Sequence, residues 1–558
     1  MPTSRSARLT GLLAAATILA TTLAGCSRPT DTPADASAAQ ASTATGGTLN
    51  ILTAGTELDL DPAKSQNLAT TTLGLIARRL TTWEVRPQGD TTVVPDLATD
   101  TGTPSDNGRT WTYTLKDGIL FEDGTPITSK DIKYGIERSF ADSLTGGLSY
   151  HKTLLKGAEN YQGPFDGKEL DSIETPDDKT IVFRLNAPSG DWPWIVSQPA
   201  FSPVPNGKGT DPQYGHQPVS SGPYRVESND QGSQAVLARN EHWDRATDSV
   251  RTAGPDRIVF RMSQDPSVAA QSIITGAGDA ADSFLTGFVP PAQIAQAQAD
   301  PNAKDLLVTS GDGAVEYLAI NTRRVTDLKV RQAIQYATNK QAYQTASGGE
   351  IAGGFATTLI TPGIPGRQAY DLYPADPSGD VDKAKSLITE SGKPAPTLTL
   401  IARSDSADVA SSIKTGLERA GFTVTIRTLD SEVYSDALTG DKGDYDLAIS
   451  SWQPDFPSAT ANIAPLFDSS QIGHGNYNLS RYDNPEVDAL IRQATETIDQ
   501  TAAQQIWAQA DRRILEDSPV VPLIYSHNTF IHGANVENFF IGNFPAYPNY
   551  LKVSLRAR

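Results

Sequence analysis

The sequence predicts an α/β protein built from several domain-sized units. Three observations carry that prediction. Strand-like and helix-like segments alternate regularly from residue 398 to residue 516. A turn-rich stretch with strand patterning, from Trp83 to about Gly215, precedes them. The chain has 558 residues, more than one small core organises. Strands separated by helices of about ten residues imply βαβ units and a largely parallel sheet.

Thr48–Leu52 is the first strand candidate, followed by a polar turn from Glu57 to Pro62. Glu57, Asp59 and Asp61 lack the glycine and terminal Glu of a calcium loop and read as solvated turn carboxylates. Leu73, Ile76, Ala77 and Leu80 have helical spacing, which predicts a helix over 70–80. Strands are expected at 111–115 and 180–185, where residues alternate. Phe121–Pro126 reads as a tight turn, after which Thr128 or Ser129 caps a helix through Ile132, Ile136 and Phe140. Strands recur at 224–226, 235–238 and 258–260, with a helix at 266–274. Residues 314–320 form a buried strand candidate, and 328–346 a long helix with Val330, Ala333, Ile334 and Ala337 on one face. A helix over 381–390 is stopped by Gly392. Then come a strand at 398–402, a helix at 410–420 ended by Gly421, and a strand over 422–426. Helices at 485–498, with Pro at the first position, and 501–516 complete the alternation.

Between these lies 444–457, whose apolar core Leu447–Trp452 is short and bounded by turn formers, as a strand is. Pro454 cannot donate to a ladder, so the strand stops before it. Trp452 and Asp455 are thereby delivered to the end of a sheet, where open α/β folds bind ligands. An aromatic face beside a carboxylate suits an amine-bearing, partly apolar ligand. The same residues also fit a core Trp and a helix-capping Asp.

A net charge of −19 argues against nucleic acid and against electrostatic attachment to anionic lipid. The six histidines have no metal-ligand spacing, and no His-Glu-x-x-His, Gly-x-Ser-x-Gly or Walker phosphate loop occurs. No catalytic residue, metal site or cofactor is expected. Cys26 is the one cysteine. Arg5 and Arg8, the apolar stretch Leu9–Leu23 and Leu23-Ala24-Gly25-Cys26 have the layout of a secretory signal. Residues 27–46, rich in Ser, Thr, Ala and Pro without an aromatic, Leu, Ile or Val, read as a flexible tether.

Leu23-Ala24-Gly25-Cys26 resembles the bacterial lipobox, which implies cleavage before Cys26 and lipidation of it. A set of segments in order resembles the extracytoplasmic solute-binding proteins of family 5, the dipeptide- and oligopeptide-binding components of ABC importers. The set runs from Gly46-Gly47-Thr48-Leu49 and Leu60-Asp61-Pro62 through Phe121–Thr128, Ser221-Gly222-Pro223-Tyr224 and Asn240-Glu241-His242-Trp243. It continues with Leu318-Ala319-Ile320-Asn321, Val330–Ile334, Asp444-Tyr445-Asp446-Leu447, Asn484–Asp488 and Pro519–Leu523. Together these span about residues 46–525.

The resemblance implies a two-lobed periplasmic-binding-protein-like fold of class II, large type, with an extra β-rich subdomain and a ligand cleft between the lobes. Lobe I would comprise 47–82, 216–311 and 525–558, the subdomain 83–215 and lobe II 312–524. By resemblance Asp455 pairs with a ligand's α-ammonium and Trp452 packs on the ligand. Phe456 belongs to the same segment, and Gln66 and Asn67 line the pocket. No group for a ligand carboxylate is assigned; Arg323, Arg324 and Arg403 are candidates because they sit near strand ends. The expected partners are a short peptide, an ABC permease with its ATPase, and a membrane reached through the lipid on Cys26, for a monomer that is not an enzyme. The alternatives are a non-peptide solute, such as an oligosaccharide or metal chelate, and a secreted lipoprotein hydrolase.

Overall fold

In a computed structural model the chain is described from residue 46 to residue 557. The expected signal and Cys26 lie outside the described residues, as does the tether as far as residue 45.

Three sheets position the site. The first is five-stranded, in the order Ser283–Leu285, Thr48–Leu52, Arg257–Arg261, Gln234–Arg239, Tyr224–Asp230. Thr48–Leu52, second in that order, runs parallel to both neighbours, and the last two pairings are antiparallel. The second, Thr103–Ser105, Thr110–Thr114, Thr180–Arg184 and Ile173–Glu174, is antiparallel throughout. Its outward residues are mostly polar and its inward Trp111, Tyr113, Ile181 and Phe183 are buried, the alternation that the sequence displays. The third is six-stranded: Gly353–Phe355, Val520–Ser526, Val315–Ile320, Leu447–Trp452, Thr397–Arg403, Thr423–Leu429.

The third sheet is mixed. Thr397–Arg403 is parallel to both its neighbours, but Val315–Ile320 is antiparallel to both of its own. The expected largely parallel sheet is thus corrected. The βαβ units are real, but strands arriving from the first lobe and returning to it are inserted beside them. Along Val315–Ile320 side chains alternate between two cores. Val315, Tyr317 and Ala319 meet the helices Ala459–Phe467, Pro485–Glu496 and Gln500–Asp517, while Leu318 and Ile320 meet Leu328–Ala337, Val381–Glu390 and Ala407–Arg419.

The two chain crossings between the first and third sheets lie side by side. Leu307–Thr309 pairs antiparallel with Thr529–Ile531, and Val315–Ile320 with Val520–Ser526. Between these pairs Gly313 N donates to Ser526 O at 2.9 Å, and His527 Nε2 lies 2.9 Å from Asp312 Oδ1.

Two helix expectations are corrected. Residues 70–80 hold only a 3₁₀ turn, Thr72–Leu75, before the strand Thr81–Glu84. The helical spacing misleads because this segment has no solvent face: Arg78 and Arg79 are as buried as Leu80. Arg78 and Arg251 clasp Asp96, with Arg251 also on Asp248, all fully buried. The helix over 328–346 is two helices, Leu328–Ala337 and Lys340–Ala346, because Asn339 turns out of the first and caps the second through Ala342 N. Asp61 is not a solvated turn carboxylate. It is fully buried and takes both arms of Arg138, at 3.0 and 2.8 Å. Asp59, by contrast, stays part-exposed beside Lys64.

Candidate functional site

The strand Leu447–Trp452 ends where Trp452 stands opposite Val315. Gln453 and Pro454 leave the ladder, and Ser458 then caps the helix Ala459–Phe467 by accepting from Thr460 N. Asp455 is therefore not that helix's cap. Its Oδ2 accepts a hydrogen bond from the Tyr150 hydroxyl at 2.6 Å. Tyr150 opens the short helix Tyr150–Leu154, next to the antiparallel sheet and some 300 residues earlier in the chain. Burial pushes the Asp455 carboxyl above the ordinary carboxylate range, opposed by the Tyr150 bond. Burial, and secondarily Asp455, pushes the Tyr150 phenol well up.

Trp452 is half-buried and fixed. Its indole N–H donates to Ala461 O at 2.6 Å, and its ring is tilted against Tyr477 with centroids 5.1 Å apart. Phe456 is fully buried and meets the Tyr150 ring edge-on, at 5.3 Å and 72°. It shapes the floor under Asp455.

Trp452, Asp455 and Phe456 line a cavity of about 920 Å3. One wall comes from the third sheet's lobe and the other from residues 147–154 and 187–195 beside the antiparallel sheet. Gln66 is also on the wall, with its Nε2 donating to Gly146 O at 2.7 Å. Asn67 is half-buried and off the wall.

A second carboxylate joins the two walls. Asp191 accepts from the Ser458 hydroxyl at 2.8 Å and from the Thr460 hydroxyl. Burial pushes its carboxyl up as well, and the two hydroxyls oppose the shift. The backbones approach closely here. Gln500 Nε2 donates to Gly190 O at 2.8 Å, and a Cβ at Gly190 would stand 2.4 Å from Thr497 O. Only glycine fits that contact.

Sequence reasoning brings Trp452, Asp455 and Phe456 together and misses Tyr150, Asp191 and Tyr477. Tyr150 opens a helix of only five residues just after Gly146 and Gly147, too short for a periodicity to expose it. Asp191 precedes Trp192-Pro193 and looks like a local helix cap, yet its carboxylate makes no capping bond and reaches the other wall instead. Arg323, Arg324 and Arg403 lie off the cavity. Arg324 pairs with Asp446 at 2.7 Å, Arg403 with Asp405 at 2.5 Å, and Arg323 lies 3.9 Å from Asp483. Among the described residues no group of three or more His, Cys, Asp or Glu side chains is placed to hold a metal, and no helix is long and apolar enough to cross a membrane.

The cavity can enclose a small solute between two bodies, present it a half-buried carboxylate, and flank it with the aromatic faces of Trp452 and Tyr477. Comparisons with known proteins agree with this geometry. The family model "Bacterial extracellular solute-binding proteins, family 5 Middle" matches residues 92–474. The solved structure of a "Clavulanic acid biosynthesis oligopeptide binding protein 2" is 33% identical and superposes with a TM-score of 0.86, over 92% of this chain and 96% of that one. The "Probable D,D-dipeptide-binding periplasmic protein DdpA" of Escherichia coli K12 is 26% identical over 465 residues, 81% of this chain and 83% of its own. The periplasmic binding protein DppA of Helicobacter pylori, solved with the peptide STSA, shares the fold at a TM-score of 0.70 and 22% identity, over 92% of this chain and 99% of that one.

Proposed function

This chain belongs to the bacterial extracellular solute-binding proteins of family 5, and from that premise we propose that it captures short peptides with a free amino end and delivers them to an ABC importer. The observation that carries the reading is Asp455, a half-buried carboxylate on the cavity wall next to a fixed Trp. An ammonium group on Asp455 makes a charge-assisted hydrogen bond in a water-poor site, which fixes orientation as well as affinity. Trp452 and Tyr477 offer flat apolar faces for the rest of the ligand. The names of the relatives, which bind dipeptides or oligopeptides, support the same class.

The mechanism needs no covalent step, and the protein acts as a binding protein rather than a hydrolase. The cavity wall is shared by two bodies joined through two adjacent crossings, near residues 312 and 525. A ligand that touches both walls has its higher affinity for the closed arrangement and shifts the population towards it. The closed form then docks on the permease and its ATPase. In this reading 47–82, 216–311 and 525–558 form the first lobe with 83–215 as its subdomain, and 312–524 form the second. A monomer is held at the extracytoplasmic face of the membrane by lipid on Cys26. Native mass spectrometry of gently purified protein tests the ligand class. Co-purified masses of short peptides are the expected result. A sugar or a metal chelate in their place, or release of cleaved products from added peptide, would overturn it.

A further inference from the structure

A second recess opens at the other end of the third sheet. The strand Val315–Ile320 starts opposite Trp452 at the ligand cavity, and the chain reaches the recess wall at Thr322, roughly 20 Å further along an extended backbone. The helix Pro485–Glu496 spans the same interval, with its capping Asn484 on the recess and Ile491 and Glu496 on the cavity. The recess has a volume of about 640 Å3 and is walled by four arginines, Arg323, Arg331, Arg481 and Arg513, against two carboxylates, Asp483 and Asp517. In a chain of net charge −19 this is a local surplus of two positive charges. Arg513 is neutralised by Glu486 at 2.9 Å and Asp517 at 2.6 Å, and Asp517 also accepts from Tyr482 and Asn484. The other three arginines have no carboxylate in hydrogen-bond reach among the described residues. Arg331 is buried and donates to the carbonyl oxygens of Val325, Thr326 and Asp517, at 2.9 to 3.0 Å. Arg481 is buried against the carbonyl oxygens of Leu438 and Gly440, and its Nε has no partner. Guanidinium groups buried against neutral partners keep an uncompensated charge, which an anion would relieve.

We propose that this recess binds a phosphate-type oxyanion, as a second ligand site remote from the cavity between the two bodies. The inference stands apart from the peptide reading. A surplus of two positive charges matches a doubly charged anion. Arg323 is exposed, and its acidic neighbour Asp483 stands off at 3.9 Å, so its planar fork is open to a ligand. A tetrahedral oxyanion can present oxygens to more than one guanidinium at once, whereas a carboxylate has a single pair to offer. The N-terminus of the 12-residue helix Pro485–Glu496 adds the positive end of its dipole at the same place. The volume admits a phosphate monoester as well as the bare ion. Phosphate chemistry is also carried by anionic lipid headgroups, but the strongly negative chain is repelled by such a surface, so a soluble phosphate is the expected source.

Calorimetric titration of the full-length protein with inorganic phosphate and with glycerol 3-phosphate tests the site, with acetate at equal ionic strength as the comparison. Both phosphates are expected to bind, and acetate about tenfold more weakly. Arg323→Gln should weaken phosphate binding about fivefold at an unchanged thermal midpoint, and Arg323→Lys should keep more of the affinity. Arg324→Gln, next in the chain but paired with Asp446 and off the recess, should leave it unchanged. Co-sedimentation with phosphatidylglycerol vesicles, against phosphatidylcholine vesicles, reads the other source. Binding confined to the anionic vesicles and lost in Arg323→Gln would assign the recess to a lipid headgroup. Absence of binding to either phosphate and to the anionic vesicles, acetate binding as tight as phosphate, or phosphate binding untouched by Arg323→Gln overturns the assignment. Peptide retention should be equal in wild type and Arg323→Gln, so a failure of the cavity reading and a failure of this one are seen separately.

Discussion

Asp191 and Asp455 bridge the same two bodies in opposite directions, and they are finished differently. Asp191 reaches from the subdomain side into the second lobe and takes two hydroxyls there, from Ser458 and Thr460. Asp455 reaches from the second lobe towards the subdomain and takes one, from Tyr150. Burial raises both carboxyls. The difference lies in what remains. Asp191 is buried, and its Oδ2 takes both hydroxyls of the second lobe and so holds the walls together. Asp455 keeps acceptor capacity on a cavity wall, where a donor from a ligand can complete it. A buried carboxylate that ties two walls together is a joint, and a half-buried one with a single protein donor beside a cavity is a receptor.

Substitutions break this comparison in graded steps. The largest effect is expected for Asp455→Asn. The amide still accepts from Tyr150, so the fold holds, but an ammonium loses its counter-charge, and affinity for free-amine peptides should fall about a hundredfold by calorimetry. Asp191→Ala should act on the joint instead. Two hydroxyls lose their acceptor, which costs about 2 kcal/mol of stability in thermal or urea denaturation, with a smaller loss of affinity than at Asp455. Tyr150→Phe keeps the ring on Phe456 and removes one hydroxyl, so a change of about fivefold in affinity is expected. The smallest effect is that of pH. Binding of an ammonium needs Asp455 ionised and its pKa is raised, so affinity is full above that raised pKa and declines as pH falls through it. The decline begins at a higher pH than an ordinary carboxyl would impose, and N-acetylated peptides should show none of it. Without ligand the sign reverses. Both carboxyls bind protons more tightly folded than unfolded, so their cost to stability appears as pH rises through the raised pKa values.

Much of the fold was legible because most strands alternate and most helices carry local stops. Thr110–Thr114, Thr180–Arg184 and Gln234–Arg239 are all readable by pattern, and Gly392 and Gly421 end their helices with φ of 67° and 99°. What failed depended on distant partners. Arg78 and Arg79 made 70–80 look amphipathic, whereas Arg78 is buried on Asp96 with Arg251 coming from 155 residues beyond that aspartate. The sheet of the second lobe is mixed because Val315–Ile320 and Val520–Ser526 enter from the other lobe, which no local pattern shows. The site divides in the same way. Trp452 and Asp455 are three residues apart, with Asp455 set between two prolines, so they stand out in the sequence. Tyr150 and Asp191 contribute only through contacts some 270 to 300 residues away.

The most direct test of amine recognition is retention of a randomised tripeptide mixture against the same mixture N-acetylated, on wild-type and Asp455→Asn protein. Wild type should favour the free amine by about a hundredfold and the variant should retain both forms weakly and alike. Equal retention of the two mixtures by wild type, or undiminished retention of the free amine by the variant, would contradict the role given to Asp455.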